Sequence, residues 1–90
     1  MTDVEKQIKA MGYVVCVSDM INNIIVYKNK KCDQEVVLEW DDKDRYCKIF
    51  SQTISREKNW LGHLQQMSMP LTICEAEIFT ARIKELRGSK

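Results

Sequence analysis

The first apolar stripe of the chain has the period of a helix. Within residues 4–11, apolar side chains recur at i, i+4 and i+7, and Gly12 follows where a left-handed residue ends many helices. Thr2-x-x-Glu5 precedes this stripe and has the spacing of a capping box, in which two side chains satisfy N–H groups at the start of a helix. The pattern predicts a helix over residues 3–11.

A second helical stripe lies near the other end of the chain. Apolar residues recur at i, i+3, i+7 and i+10 over residues 76–86, before Gly88. Thr72-x-x-Glu75 is a second capping box and directly follows Pro70. These signals predict a final helix that begins after Thr72 and ends at Gly88.

Between the two helices, the apolar positions follow the period of β-strands. Short polar turns separate four runs rich in β-branched and aromatic residues, at 13–17, 24–27, 34–40 and 45–51. Asn22-Asn23 lies in the first turn and supplies residues that tolerate left-handed backbone. The short connections predict a four-stranded antiparallel meander.

The third run alternates and therefore predicts which face of the sheet is buried. Val36, Leu38 and Trp40 share one face, and Glu35 and Glu39 share the other. The fourth run is ambiguous, since either its Tyr46 and Phe50 or its Cys47 and Ile49 could face inward. The solvent-facing side of the sheet, called the wet face, is expected to carry the following side chains: Glu35, Glu39, Lys48 and Tyr27.

Residues 52–69 carry a weaker pattern. Ser55 could cap a short helix carrying Trp60 and Leu61, but Gly62 would lie in its middle, at a cost of about 1 kcal/mol relative to alanine. The segment is predicted to be a short helix or an ordered loop. With one apolar stripe on each terminal helix and one apolar sheet face, the chain is expected to form a single α+β domain, residues 1–90. We predict a two-layer sandwich with both helices packed on one face of the meander.

Composition narrows the function classes. The chain has 90 residues, is 44% hydrophobic and has a formal net charge of +1, which suits one core and argues against a protein-wide footprint for nucleic acid or an anionic membrane. No apolar run approaches the roughly 18 residues that span a bilayer, and the first residues lack the pattern of a signal peptide. We therefore expect a cytoplasmic protein.

Catalytic and metal-binding chemistry has little support in the sequence. The four cysteines include no Cys-x-x-Cys pair, the only histidine is His63, and the three glycines are isolated. Cys74 lies in the first turn of the last helix, where the dipole lowers a thiol pKa, but no base is evident beside it. The sequence predicts free thiols, no enzyme activity, no metal and no cofactor.

A protein partner has mild positive support. Met20 and Ile21 occupy a hairpin tip where polar residues are usual, and Trp60 and Met67 lie in the least regular segment. Methionine and tryptophan on adaptable segments are favoured at interaction surfaces. The competing interpretation is that these residues close the open end of the sandwich. Exposed edge strands offer a second route, pairing with a partner strand or with a second copy in a homodimer.

The alternative prediction is a nucleic-acid-binding module that uses Lys28–Lys31 and the C-terminal helix. Basic residues cluster at Lys28–Lys31, which includes Lys30 and Lys31, and recur as Arg82 and Arg87 in the final helix. The layout is similar to a double-stranded-RNA-binding domain. The lysine-rich entry to the last helix expected there is replaced by the stretch 71–75, which removes the contacts that would span a groove.

The stretch 70–75, followed by 82–86, resembles the closing helix of many small accessory proteins encoded by bacterial phages and prophages. The opening stretch 8–13 is similar to their first helix and its exit into a strand. This resemblance covers about a third of the chain. It implies a protein that binds a host protein, for example an inhibitor of a defence system.

Overall fold

The computed structural model of the protein describes residues 1–43, 46–58 and 64–88. Within these ranges the chain forms two helices and five strands: α1 (Asp3–Ala10), β1 (Tyr13–Asp19), β2 (Ile24–Asn29), β3 (Gln34–Trp40), β4 (Cys47–Lys58), β5 (Leu64–Ser68) and α2 (Ile73–Gly88). The strands form one antiparallel sheet in the order β1-β2-β3-β4-β5, and both helices pack on the same face of it. The predicted two-layer α+β sandwich is confirmed.

Local signals begin and end the helices as predicted. At the start of α2, the backbone N–H of Glu75 donates to Thr72 Oγ1 at 3.1 Å, and the N–H of Thr72 donates to Glu75 Oε1 at 3.1 Å, which completes a capping box. At α1, Thr2 Oγ1 accepts from the N–H of Glu5 at 3.2 Å. Gly12 ends the α1 region with a φ of 97°, a conformation that favours glycine.

The meander has one strand more than predicted. β4 continues to Lys58 and pairs with β5, with Thr53 opposite Met67 and Ser55 opposite Gln65. The expectation of a short helix or ordered loop over residues 52–69 is therefore wrong for the part of this segment that the structure describes. The physical reason is that pairing with β5 supplies backbone hydrogen-bond partners to the edge of β4 that does not face β3.

The core lies between the helices and one face of the sheet. It consists of these buried side chains: Ile8, Tyr13, Ile25, Tyr27, Val36, Leu38, Trp40, Phe79, Ile83 and Leu86. The Phe79 ring contacts the rings of Tyr13 and Tyr27, with centroids 5.2 and 5.5 Å away. The placement of Tyr27 on the wet face is wrong, because its cross-strand partner is the fully buried Val36.

The register between β3 and β4 resolves the facing of the fourth strand. Ile49 lies opposite the buried Leu38 and packs against the core, whereas Phe50 lies opposite Val37 on the other face. Phe50 and Tyr46 are accordingly exposed. The sheet therefore has a helix-covered face and an open face.

Arg82 joins the two helices to the sheet. Its Nη1 lies 3.0 Å from Oε1 of Glu5 in α1 and 3.1 Å from Oε1 of Glu85 in α2. Its Nε donates to the buried Tyr27 hydroxyl at 3.1 Å. In addition, Thr2 Oγ1 donates to Glu85 Oε1 at 2.9 Å. The helical layer is thus fixed by contacts between the two ends of the chain.

Candidate functional site

The turn between β1 and β2 is held in one conformation by its own polar side chains. The carboxylate of Asp19 accepts from the backbone N–H of Asn22 at 3.1 Å and from its Nδ2 at 2.7 Å. These hydrogen bonds lower the pKa of Asp19. Asn23 adopts a φ of 56°, so the prediction of left-handed backbone at Asn22-Asn23 is confirmed for Asn23 and not for Asn22.

The back of this turn is anchored to the end of β3. Asn23 is buried, its carbonyl accepts from the N–H of Trp40 at 3.2 Å, and its Nδ2 donates to Asp42 Oδ1 at 3.1 Å. Two hydrogen bonds of the buried Asn23 thus attach the turn to the end of β3 and to the residues that follow it. Met20 and Ile21, which lie between Asp19 and Asn22, are therefore part of an ordered turn.

Met20 and Ile21, predicted to bind a partner, are exposed on this turn. Ile21 is 93% exposed and Met20 is 40% exposed. Of the other two predicted contact residues, Trp60 lies outside the described residues, and Met67 is placed only as a backbone position in β5. The structure therefore brings Met20 and Ile21 together and leaves Trp60 and the Met67 side chain unplaced.

The open face of the sheet carries an apolar row that the sequence analysis missed. The row crosses four strands, with Val17 opposite Val26, Val26 opposite Val37, and Val37 opposite Phe50. Directly opposite residues lie on the same face of an antiparallel sheet. The two ends of the row are open to solvent, since Val17 is 46% and Phe50 is 48% exposed.

Charged pairs flank the apolar row on both sides. Lys28 lies opposite Glu35 on one side, and Glu39 lies opposite Lys48 on the other. The predicted open-face positions of Glu35, Glu39 and Lys48 are confirmed by this register. Lys48 also places its Nζ 4.8 Å from the centre of the Tyr46 ring, a cation–π contact beside the Glu39–Lys48 pair.

Two features hid the apolar row from sequence analysis. The β1–β2 register shifts between Val15 and Val17, so a bulge places Val17 on the open face, which simple alternation from Tyr13 would not do. The second feature is the ambiguous alternation of β4, which left the direction of Phe50 undecided. Only the pairing with β3 resolves it.

The basic residues proposed for nucleic acid do not form one patch. Arg82 is engaged by Glu5, Glu85 and Tyr27, and its side chain is largely buried. Arg87 places its Nη1 3.2 Å from Cys47 Sγ in the last turn of α2.

Lys30 and Lys31 are exposed, but they lie at the opposite end of the helical layer. The N–H of Lys30 donates to the Gly12 carbonyl at 2.8 Å, beside Tyr13, whose hydroxyl binds Glu75 at the start of α2. Twelve helical residues separate that start from Arg87, which corresponds to about 18 Å. A single phosphate backbone contacting both groups would therefore have to span about 18 Å along α2.

The described residues offer little for catalysis. All four cysteines are free thiols with exposed positions, and His63 lies outside the described residues. The described part of the chain contains no group of three or more His, Cys, Asp or Glu side chains that could hold a metal ion. A cleft of about 210 Å³ between α1 and β1 is lined by Ile8, Val15 and Arg82, among others, but the Arg82 guanidinium already has its protein partners.

Within the described residues, no helix is both long and apolar enough to cross a membrane. Comparison of the chain with protein-family models, with curated proteins and with solved structures gave no match. The case for a function therefore depends on the surfaces of the molecule itself.

Proposed function

We propose that the chain is a small non-catalytic interaction protein that binds a protein partner through Met20 and Ile21 at the β1–β2 tip. The observation that carries the proposal is the 93% exposure of Ile21 on a turn that is anchored on both sides. Isoleucine is usually a core residue, so its presentation on an ordered turn is costly in water and useful in a complex.

The energetics favour this tip as a binding element. Fully burying an isoleucine side chain contributes about 1.5–3 kcal/mol. Binding also has an entropic cost, because mobile segments must be ordered in the complex. This turn is ordered in the free protein by the hydrogen bonds that Asn22 donates to Asp19, that Trp40 donates to Asn23 and that Asn23 donates to Asp42. A larger share of the burial energy is then available for affinity.

We further propose a host protein as the partner, in a cytoplasmic setting, with a phage or prophage as the source of the chain. The support for this part is the resemblance of the stretches 8–13, 70–75 and 82–86 to phage accessory proteins. A near-neutral net charge suits a partner recognised by apolar contacts, since it supplies no overall electrostatic attraction to a polyanion. Inhibition of a defence system is one activity that such binding would produce.

Binding to nucleic acid is less well supported. A contact to phosphate by Arg82 would require breaking its bonds to Glu5 and Glu85. Lys30 and Lys31 lie near the start of α2, whereas Arg87 lies in its last turn. Nucleic acid is therefore an outcome to be tested and not a second proposal.

The test is capture of partners from bacterial lysate by the tagged chain, at low and at high salt, with and without nuclease. Ile21→Asp is compared with Ile73→Asp, which places the same change on an 80% exposed isoleucine of α2. We expect the wild-type chain to capture a protein that stays bound at high salt and after nuclease treatment. The Ile73→Asp variant should still capture this protein, and the Ile21→Asp variant should not. The purified candidate should then bind the purified chain with the same ranking.

Two results would contradict the proposal. Equal capture by Ile21→Asp and the wild type would remove the tip from the interface. Loss of all bound material with nuclease or salt, together with loss in Lys30→Glu/Lys31→Glu, would make nucleic acid the ligand.

A further inference from the structure

We propose that the open face of the sheet is a homodimer interface, in which β1–β4 of two copies pack face to face. The two-fold axis would run parallel to the strands, between β2 and β3. This interface borders the β1–β2 turn at Asp19 but does not include Met20 or Ile21, so it does not depend on partner binding by those two residues. The occupant of the open face is thus a second copy of this chain.

The apolar row matches itself under this symmetry. An axis between β2 and β3 exchanges β2 with β3 and β1 with β4. Val26 then faces Val37 of the second copy, and Val17 faces Phe50 of the second copy. The two exposed ends of the row cover each other. Stacked sheets pack about 10 Å apart with strands within about 30° of one another, and this keeps each pair within one strand spacing.

The charges decide between the two symmetric ways of stacking this face. With the axis parallel to the strands, Lys28 faces Glu35 of the second copy, and Asp19 faces Lys48 of the second copy. With the axis along the apolar row, Glu35 would face Glu39 of the second copy, two like charges. Opposite charges across an interface fix its register, and like charges exclude the alternative. The charges therefore select the strand-parallel axis.

The size of the face sets the expected strength. Four strands about 4.8 Å apart and about seven residues long cover roughly 19 by 23 Å. That is about 440 Å² per copy and roughly 900 Å² in total, which is below the range of stable interfaces and within that of weak, transient ones. We therefore expect a dimer with a dissociation constant in the micromolar range, in exchange with monomer.

Sedimentation equilibrium of the wild type over a micromolar concentration series is the first experiment. We expect monomer and dimer in a concentration-dependent ratio. Phe50→Asp should raise the dissociation constant at least tenfold, and Val17→Asp, at the other end of the row, should do the same. Ile21→Asp should leave it unchanged, since the tip is outside this interface. Circular dichroism confirms that each variant is folded.

Charge reversal then tests the register. Lys28→Glu alone places like charges opposite Glu35 of the second copy, and Glu35→Lys alone does the same opposite Lys28. Each variant should dimerise at least tenfold more weakly than the wild type. A mixture of the two should form a heterodimer, because both contacts between residues 28 and 35 of the two copies then join opposite charges. The contact between residues 28 and 35 within each chain is unchanged by mixing, so recovery reports only on the interface.

The proposal has defined points of failure. A wild type that stays monomeric at high micromolar concentration overturns it, as does a dimer indifferent to both Phe50→Asp and Val17→Asp. If Glu35→Lys alone dimerises more strongly than the wild type and mixing gives no recovery, the strand-parallel axis is wrong. That result would place residue 35 opposite Glu39 of the second copy, as the axis along the apolar row does. None of these results affects partner capture through Ile21, which Phe50→Asp should retain.

Discussion

The Tyr13 hydroxyl donates a 2.6 Å hydrogen bond to Oε2 of Glu75, across 62 positions of the chain. Glu75 also accepts the N–H of Thr72 at its other carboxylate oxygen, as part of the capping box. One side chain therefore both starts α2 and fixes that start to the first residue of β1. The Tyr13–Glu75 hydrogen bond thus ties the start of α2 to the sheet.

Tyr13→Phe should lower the free energy of unfolding by about 1–2 kcal/mol, since it removes a hydrogen bond to a charged group and keeps the buried ring. Urea denaturation measures the change. Tyr46→Phe is the matched control, because Tyr46 is exposed and its ring contact with Lys48 survives. The control should change stability by less than about 0.5 kcal/mol. Equal effects of the two substitutions would show that the Tyr13–Glu75 bond contributes nothing.

The same pair should make stability depend on pH at both ends of the scale. The hydrogen bond from Tyr13 lowers the pKa of Glu75 below 4.5. Because the folded-state pKa is the lower one, this contribution is present above the unfolded pKa and is lost as pH falls through the folded pKa. Tyr13→Phe should therefore lose less stability than the wild type on acidification.

At high pH the sign is reversed. Burial, followed by the hydrogen bond to Glu75, raises the pKa of Tyr13 from 10.0 to about 12. A raised folded-state pKa stabilises fully below the unfolded value, and this contribution is lost as pH rises through about 12. Ultraviolet titration of the tyrosines should show one group ionising last, and that group should be absent in Tyr13→Phe.

Arg82→Met should destabilise the protein by about 2 kcal/mol, because Glu5, Glu85 and Tyr27 lose a shared partner in a partly buried site. Arg82→Lys should recover only part of this loss, since an ammonium cannot reproduce the planar fork. Lys84→Met, exposed on the same helix, is the control and should stay within about 0.5 kcal/mol of the wild type.

A different result at Arg82 would point to the alternative function. If Arg82→Met leaves stability unchanged but abolishes binding to an RNA duplex, the guanidinium is available to phosphate in solution. Thermal denaturation and a filter-binding assay on the same preparations separate the two outcomes.

Gly12→Ala and Gly88→Ala should differ sharply. Gly12 has a φ of 97°, and an added Cβ would lie 3.3 Å from Asn29 Oδ1, so alanine there should cost about 1–2 kcal/mol. Gly88 has open space around its Cβ position, and alanine there should be neutral or slightly stabilising. Thermal melting of the two variants checks both. Similar melting temperatures would contradict the role of Gly12.

The elements that could be predicted from sequence are those fixed by near neighbours. Thr72 and Glu75 form their capping box within one helical turn, and Gly12 and Asn23 have left-handed backbone for local reasons. The tip residue Ile21 was recognised by the same kind of argument, an apolar residue where a turn is expected. Each of these predictions needs only a few consecutive residues.

What sequence could not predict depends on pairing across the sheet. Tyr27 is compatible with either face until Val36 is placed opposite it, and Phe50 is undecided until Val37 is. A single bulge moves Val17 to the open face. β5 is defined by its pairing with the outer edge of β4, which no local pattern shows. The proposed dimer interface consists of such residues, and for that reason it was missed.

The order of the strands has a consequence for how the chain folds. Each strand pairs with its neighbour in sequence, so the sheet can form from successive hairpins, whereas the contacts of Thr2 and Glu5 with Glu85 and Arg82 close the whole chain. We expect local pairings to form early and this closure to form late, because bringing distant parts of the chain together costs more entropy. Glu5→Gln should then accelerate unfolding and leave the refolding rate nearly unchanged in stopped-flow kinetics. The contacts between the two helices would then set the rate at which the native state unfolds.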